Sequence, residues 1–334
     1  GFETALCYFH HGNSYWTQQT GDLSCPVGVD LWDSEEGAAH ATWNSSDCES
    51  RPGRDCDSNY EEVYFRRRFL HIVSQHDPTE APLFLYYAPH LVHDPLEVEP
   101  IYLEMMTKVG GGAFDNETET SPKFVQRWTY HAMVKALDDQ IGNLTAAVKE
   151  KQMWEHSLLW FASDNGGPIY GGANNHPLRG GKYSEFEGGV RVASFVSGGF
   201  VVESARGKLG TGLGTLSDVW GTLCALAMID PTDHAAAAVQ GYLPPVDGMD
   251  LSAMITGRNI SHSPRQMVPM MPLSGSDLEA LDAWDALRVS LRDQSDAAGS
   301  RYLPDVDFQI EKGHTCRNPV NHYDFAAQIP SVEA

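Results

Sequence analysis

The sequence predicts an α/β fold in which a sheet is covered by helices. The chain has 334 residues, of which 42% are hydrophobic, so it is long and apolar enough to bury a sizeable core. Short apolar runs of strand length alternate along it with longer segments of helical periodicity. This alternation is typical of βαβ units, which build sheets with helices on their faces.

Each predicted element has its own local pattern. Apolar residues recur at helical spacing in three segments, 61–75, 125–149 and 215–228, and Ser217 is the expected N-cap of the last one. Continuous apolar runs predict three strands, 83–88, 158–162 and 190–196. We expect the first two strands to be buried and the second to end at Ser163.

Periodicity and charge divide the chain and exclude some partners. The periodic pattern weakens after residue 262, so we expect one main domain over residues 1–262 and a degenerate or partial C-terminal region over 263–334. No apolar run approaches the ~20 residues of a membrane-spanning helix. The chain has 23 Lys and Arg against 45 Asp and Glu, a net charge of −22, which argues against nucleic acid as a partner.

Cysteines and glycosylation sequons indicate the secretory pathway, with an extracellular or lysosome-like location. Cys48 and Cys56 flank a polar loop and could close a small disulfide ring, although free thiols remain the alternative. Cys224 lies in an apolar helix and is expected to be a small buried hydrophobe. Four N-x-S/T sequons are present, at Asn44, Asn116, Asn143 and Asn259.

The segment 164–191, DNGGPIYGGANNHPLRGGKYSEFEGGVR, carries the strongest functional signal. Asp164 and Asn165 leave the carboxyl end of a predicted strand, where α/β folds commonly present ligands. Four Gly-Gly pairs let the loop fold tightly, and Arg179 and Lys182 add positive charge within it. The pattern predicts a hard metal ion beside an anion.

Simpler interpretations of the same residues stay open on residue types alone. Asp164 and Asn165 could form an Asx-type turn that closes the strand. His93 could be a loop histidine, and Lys182 could be solvated. We interpret Arg179 and Arg191 as loop anchors rather than substrate ligands. The neighbouring residues Asn174, Asn175 and His176 are assigned no role beyond their proximity.

Five ordered motifs resemble the type I sulfatases. They read LVHDPL, HAMVKALDDQIGNLT, SDNGGPIYGGANNHPLRGGKYSEFEGGVRV, LSDVWGTLCALA and VDGMDL. Within that family, the arylsulfatase subgroup that includes N-acetylgalactosamine 4-sulfatase is the most similar, and the opening GFETALCYFHHGNSYWT also resembles it. The resemblance implies an alkaline-phosphatase-like fold with a mixed sheet sandwiched by helices, of which residues 1–262 would form the carboxyl-side part.

The resemblance also implies roles for four residues. Asp164 and Asn165 match calcium ligands of the family, and both offer the hard oxygen atoms that calcium binds. His93 matches a histidine that contacts the sulfate group, and Lys182 matches a lysine that holds a sulfate oxygen and the leaving-group side. The implied activity is hydrolysis of a sulfate ester on a sulfated small molecule or a sulfated glycan.

The sequence departs from the family in three motifs. It has no Asp-Asp pair that would complete the calcium site, no C-x-P-S-R whose Cys becomes formylglycine, and no G-K-W-H-L-G. We therefore expect an amino-terminally truncated, inactive portion with a weak or incomplete calcium site. A non-catalytic protein that binds calcium or a sulfated glycan is the alternative. A phosphatase or phosphodiesterase is a third one, but its zinc site would need several His and Asp ligands.

Overall fold

The computed structural model describes residues 2–9, 12–19, 29–34, 60–109, 122–232, 234, 238, 246–260 and 262–268. The chain divides into two compact units, Gly1–Lys208 with Ile255–Arg258, and Leu209–Met254 with Asn259–Ala334. Cys48, Cys56, Asn44 and Asn116 lie outside the described residues, as does almost all of the predicted C-terminal region 263–334. The predictions made for them therefore stay predictions.

Three helices form the frame of the first unit: α1 (Glu61–Gln75), α2 (Pro100–Val109) and α3 (Pro122–Glu150). The first and third confirm the predicted helices 61–75 and 125–149. The observed α3 begins three residues earlier, at a proline, which tolerates the first turn of a helix because its missing N–H would have no partner there. Both α1 and α2 pack against α3. None of the described helices combines the length and apolarity needed to cross a membrane.

The main core lies where α1, α2 and α3 meet. Its buried members are Tyr15, Tyr60, Val63, Leu91, Val98, Tyr102, Ala132, Met133 and Ala136. Met133 is completely buried, and full burial of a side chain of this size contributes about 1.5–3 kcal/mol. This core also holds Tyr15 and Leu91, two residues of the segments that surround the candidate site.

Two small antiparallel sheets are present in the described part of the chain. Strand β1 (Leu6–Cys7) pairs with β2 (Trp32–Asp33), and β3 (Leu159–Ala162) pairs with β4 (Ser194–Ser197). The prediction was a mixed sheet, and both of the described strand pairs are antiparallel. The long connection between β3 and β4 contains a short 3-10 turn, Ile169–Gly171, and a single helical turn, α4 (Glu187–Val190).

All three predicted strands need correction. The segment 83–88 does not form a strand. Its residues alternate between half-buried and exposed, and Phe84 and Tyr86 are 61% and 71% exposed. Its apolar run therefore packs on one side only. Strand β3 is likewise half-buried rather than buried. The third predicted strand, 190–196, begins later, at Ser194, because α4 occupies its first residue.

The second unit contains the helix α5 (Ser217–Ala227), which confirms the helix predicted over 215–228. The predicted N-cap is wrong, since Ser217 is already helical and the capping position belongs to Leu216, which makes no side-chain cap hydrogen bond. The carboxylate of Asp218 instead accepts a hydrogen bond from the Thr215 N–H at 2.9 Å. Cys224 is 5% exposed, as predicted. One further turn, α6 (Ser252–Ile255), follows later in the chain.

Candidate functional site

The loop between β3 and β4 folds back on itself through close backbone contacts. The Gly166 N–H donates to the Gly189 carbonyl at 2.8 Å, and the Gly188 N–H donates to the Arg179 carbonyl at 2.7 Å. A Cβ atom on Gly166 would lie 1.7 Å from the Gly188 carbonyl oxygen. At these positions glycine is required by close approach of two backbone segments. Gly172, with φ +89°, and Gly180, with φ +81°, need glycine for their backbone conformation.

Asn175 joins two parts of this loop. Its side-chain oxygen accepts the Gly167 N–H at 3.0 Å, and its side-chain NH₂ donates to the carbonyls of Gly167 at 2.8 Å and Gly180 at 3.2 Å. These bonds fix the backbone two residues before Lys182. The sequence analysis assigned Asn175 no role beyond proximity. Its position between two Gly-Gly pairs could have predicted that its side chain hydrogen-bonds the loop backbone.

The structure brings Lys182 and His93 together. The Lys182 Nζ lies 2.9 Å from the His93 Nε2, although the residues are 89 positions apart. The His93 Nδ1 lies 2.9 Å from the Asp94 carbonyl oxygen, which can only accept, so Nδ1 carries the proton. In a neutral imidazole, Nε2 is then the acceptor for the Lys182 ammonium. The pair presents one ammonium whose remaining N–H groups can bind an anion.

Tyr15 supports the segment that carries His93. Its hydroxyl lies 2.8 Å from the His90 carbonyl and 3.0 Å from the His93 carbonyl. Its ring is completely buried and stacks on the His90 ring with 4.1 Å between centroids. The His90 ring in turn lies 5.9 Å from the His93 ring. A buried aromatic layer therefore sets the position of His93.

Two buried acids lie beneath this layer. Glu61 and Glu62 are 0% and 1% exposed; the Glu61 Oε1 lies 3.3 Å from the His90 Nδ1, and the Glu62 Oε1 accepts the Leu91 N–H at 3.0 Å. Burial raises the pKa of Glu61 to about 8 and that of Glu62 to about 7. The sequence analysis missed both acids. Glu61 stands four residues before Phe65, on the apolar face of α1, and this spacing was the signal.

Asp164 and Asn165 leave β3 side by side, and their side chains hydrogen-bond to neighbouring backbone groups. The Asp164 Oδ1 accepts the Asn165 N–H at 2.8 Å, and the Asn165 Nδ2 donates to the Gly166 carbonyl at 2.9 Å. Asp164 is exposed. Burial, followed by the charges of Glu61, Glu62, Asp164 and Asp30, raises the pKa of Tyr8, whose ring lies 4.8 Å from the His90 ring.

Asp164 and Asn165 offer two oxygen donors of the kind that a calcium site would need. A carboxylate and an amide oxygen are hard donors of the type that calcium binds, but the ion takes six to eight oxygens. The Asn165 Nδ2 donates to the Gly166 carbonyl. The amide oxygen of Asn165 therefore points away from that carbonyl. Among the residues the structure describes, no cluster of three or more His, Cys, Asp or Glu is arranged to hold a metal.

The two arginines of the loop make local contacts. The Arg179 guanidinium lies 4.0 Å from the centroid of the Phe186 ring. Arg191 pairs with Glu187 of α4 at 3.2 Å on an exposed surface. Both contacts are consistent with the prediction that these residues anchor the loop.

Family membership follows from a comparison of the whole sequence with known families. A family described as Sulfatase matches residues 1–227. The chain belongs to the sulfatase family. The recognition made from the five motifs is thereby confirmed. The residues that match the sulfatase family include all four candidate site residues, His93, Asp164, Asn165 and Lys182.

Two relatives show how much of a sulfatase the chain spans. Arylsulfatase J of Mus musculus is 30% identical over 228 residues, which cover 68% of this chain and 33% of that protein. N-acetylgalactosamine-6-sulfatase of Sus scrofa is 26% identical over 207 residues, or 60% of this chain and 34% of that protein. The sulfatase-family chain thus spans about a third of the length of these curated relatives.

A solved structure shares the fold. The crystal structure of Ps i-CgsB in complex with k-i-k-neocarrahexaose superposes with a TM-score of 0.56 and 23% identity, covering 76% of this chain and 50% of that one. This likeness concerns the fold alone. Together with the family match it supports the coarser part of the fold prediction, a mixed helix and strand architecture of the sulfatase type.

Proposed function

We propose that this chain is the part of a sulfate-ester hydrolase that holds the sulfate group through Lys182 and His93. The observation that carries the proposal is the 2.9 Å contact between the Lys182 Nζ and the His93 Nε2 in a chain of the sulfatase family. Family membership supports sulfate esters as the class of substrate.

The chemistry of the pair suits this role. Cleavage of a sulfate ester spreads negative charge over the nonbridging oxygens and the leaving oxygen, and a preorganised ammonium and imidazole stabilise such charge. Lys182 supplies the ammonium group of the pair. His93, held by its Nδ1–H bond to the Asp94 carbonyl, orients that ammonium through its Nε2, so that the other N–H groups of Lys182 can bind a sulfate oxygen.

Sulfate binding tests this proposal directly. We expect the purified chain to bind inorganic sulfate, and Lys182→Ala to weaken the affinity by roughly ten- to a hundredfold, since a hydrogen bond to a charged group contributes about 1.5–3 kcal/mol. Isothermal titration calorimetry measures the change. Lys208→Ala removes the same charge from an exposed position of the first unit and serves as the control. Equal affinities for the two variants would contradict the assignment.

We also propose that Asp164 and Asn165 bind calcium, as part of a larger ligand set in the complete enzyme. When bound, calcium would add positive charge that stabilises the sulfate oxygens. Two protein ligands give a weak site, so we expect a Kd of roughly 10⁻⁴–10⁻³ M, in the range of the weakest calcium modules. Asp164→Ala should abolish a calcium-dependent NMR shift of the Asn165 amide. Asp138→Ala, at a 77% exposed acid of α3, should leave that shift intact.

The chain itself is proposed to bind rather than to hydrolyse. Its 334 residues contain no C-x-P-S-R motif, which supplies the formylglycine nucleophile in the family. This same observation favours the second candidate, a non-catalytic relative that binds calcium or a sulfated glycan. Turnover of an aryl sulfate by the purified chain, at the rate of a full-length sulfatase, would refute the non-catalytic candidate and the proposal that this chain does not hydrolyse.

A sulfated glycan is the proposed partner, and the secretory pathway the proposed location. The relative from Sus scrofa is named for N-acetylgalactosamine 6-sulfate chemistry, and the structural neighbour was solved with neocarrahexaose. The sequons support an extracellular or lysosome-like compartment, and the two that the structure describes, Asn143 and Asn259, are exposed. Detection of N-glycans on the expressed chain by mass spectrometry checks the location.

A further inference from the structure

Asp94 places a carboxylate next to the Lys182–His93 pair. It directly follows His93 in the chain, and its backbone carbonyl oxygen lies 2.9 Å from the His93 Nδ1. The Lys182 Nζ contacts the other ring nitrogen of the same imidazole. Asp94 is exposed, and within the described part of the chain its carboxylate accepts no hydrogen bond and pairs with no cation. An acid without a partner therefore stands beside a group suited to bind anions.

Asp94 is also part of the wall of a cleft. The cleft is open, has a volume of about 450 Å³, and is lined by Gly12, Asp94, Pro95, Leu96 and Gln126. Asp94 carries the single charged side chain among these lining residues. Because His93 is its neighbour in the chain, the cleft lies next to the Lys182–His93 pair. A ligand whose anionic group binds that pair can thus extend its remaining atoms past Asp94.

The charge of Asp94 distinguishes between ligands by the group that follows their anion. An ionised carboxylate is acceptor-only, so it binds a hydroxyl or an ammonium group and repels a second anion. A site discriminates through such a repulsive element as well as through its attractive contacts. Because Asp94 is exposed, water screens the effect, and one charge changes a binding constant by up to about fivefold. The neutral carboxamide of Gln126 both donates and accepts, so it adds no preference of this kind.

We propose that Asp94 is a specificity-determining residue, which favours sulfate esters that carry a hydrogen-bond donor near the sulfate and disfavours those that carry a second anion there. The inference rests on the proposed function, because it places the sulfate group at Lys182 and His93. It adds a criterion of charge that holds for any sulfate ester, whatever the rest of the molecule is. Asp94 acts on the ligand itself and leaves the Lys182–His93 contact unchanged.

Four small sulfate esters that share a two-carbon chain test this inference on the full 334-residue protein. They are ethyl, 2-hydroxyethyl, 2-aminoethyl and carboxymethyl sulfate, and their Kd values are measured by NMR titration near neutral pH, where the amine and the carboxyl group are charged. We expect 2-aminoethyl sulfate to bind roughly tenfold more tightly than carboxymethyl sulfate, the product of one attraction and one repulsion. The 2-hydroxyethyl and ethyl esters should lie between them in that order. Asp94→Asn should reduce the tenfold ratio to about twofold or less, and Asp94→Glu, which keeps the charge, should retain most of it.

Matched controls separate the possible outcomes. Asp138→Asn removes one negative charge from a 77% exposed position of α3 and should keep the tenfold ratio; an equal loss there would mean that the net charge, and not Asp94, selects the ligand. Salt of about 1 M should reduce the ratio in the wild type, because it screens exposed charges. If ethyl sulfate binds but the charged esters bind equally well, the role of Asp94 is overturned and the proposed function stands. If ethyl sulfate does not bind, both fail.

Discussion

Asp218→Asn is expected to destabilise the second unit by about 3–5 kcal/mol, the usual cost of removing one partner from a buried ion pair. The Asp218 carboxylate accepts bonds from the Arg265 Nε at 2.7 Å and the Arg265 NH2 nitrogen at 2.5 Å. It also accepts the N–H groups of Thr215 at 2.9 Å and Met249 at 2.7 Å. The side chains of the pair are 0% and 8% exposed. One carboxylate thus ties three segments of this unit together.

The substitution leaves the Arg265 guanidinium buried without its counter-charge, which is why an isosteric change has so large an effect. Hydrogen exchange of the α5 amides reports the stability of this unit. The control is Asp230→Asn, which breaks a pair with His234 whose side chains are 59% and 73% exposed; it should leave the exchange rates unchanged, because exposed pairs contribute little. Equal protection in both variants would rule out the role given to Asp218.

The Asp218 carboxylate should also make the stability of the second unit depend on pH. Burial alone would raise the pKa of Asp218, but the hydrogen bonds from Arg265, Met249 and Thr215 lower it below the ordinary value. A lowered folded-state pKa means that the stabilisation is present above the unfolded-state value and lost as the pH falls through the folded-state value. The second unit should therefore open first in acid.

Glu61→Gln is expected to remove most of the opposite pH dependence from the first unit. Burial raises the pKa of Glu61 to about 8 from its ordinary value of 4.5, against the lowering effect of the Asn13 hydrogen bond at 2.6 Å. Asp30 and Glu97 add to the increase. The folded state therefore holds a proton that the unfolded state releases, and stability should fall as the pH rises from about 4.5 to about 8.

The slope for one such group is at most about 1.4 kcal/mol per pH unit. Urea unfolding at pH 5, 6, 7 and 8 measures it, with Glu80→Gln, at an exposed acid, as the control. The Glu61→Gln variant should be flatter than the wild type and more stable than it at pH 8. A residual slope is expected from Glu62, whose pKa is about 7. If the stability of the wild type rose from pH 5 to pH 8, the protonated state assigned to the buried Glu61 would be wrong.

Three of the four longer described helices were predictable because their signal is local, whereas α2 was not predicted. Apolar residues three and four positions apart must share one face of a helix, and this rule identified α1, α3 and α5 with boundaries within three residues. The spacing also placed Glu61 on the apolar face of α1, four residues before Phe65. The burial of Glu61 and Glu62 was nevertheless missed, because acids at the start of a helix usually face water and the helix dipole favours them there. Their burial depends on His90 and Leu91, which come from another segment.

The strands were less predictable because pairing is not local. The run 83–88 is apolar at every position, yet only alternate residues are packed, since composition cannot tell whether a second layer covers the other face. The antiparallel pairing of β3 with β4 follows from the path of the loop between them, which the two runs do not encode. The mistaken N-cap at Ser217 has a similar cause, because Asp218 satisfies the backbone with a carboxylate that Arg265 also holds.

The sequence by itself determined the family, the main helices and the identity of the candidate groups His93, Lys182, Asp164 and Asn165, because these depend on residue types in a fixed order. The tertiary structure decided which of them meet. It joined His93 and Lys182 at 2.9 Å and left the acid and amide bonded to their own backbone. It also placed Tyr15 beneath His93. Contacts between distant segments arise from how the core packs, and local patterns carry no record of that packing.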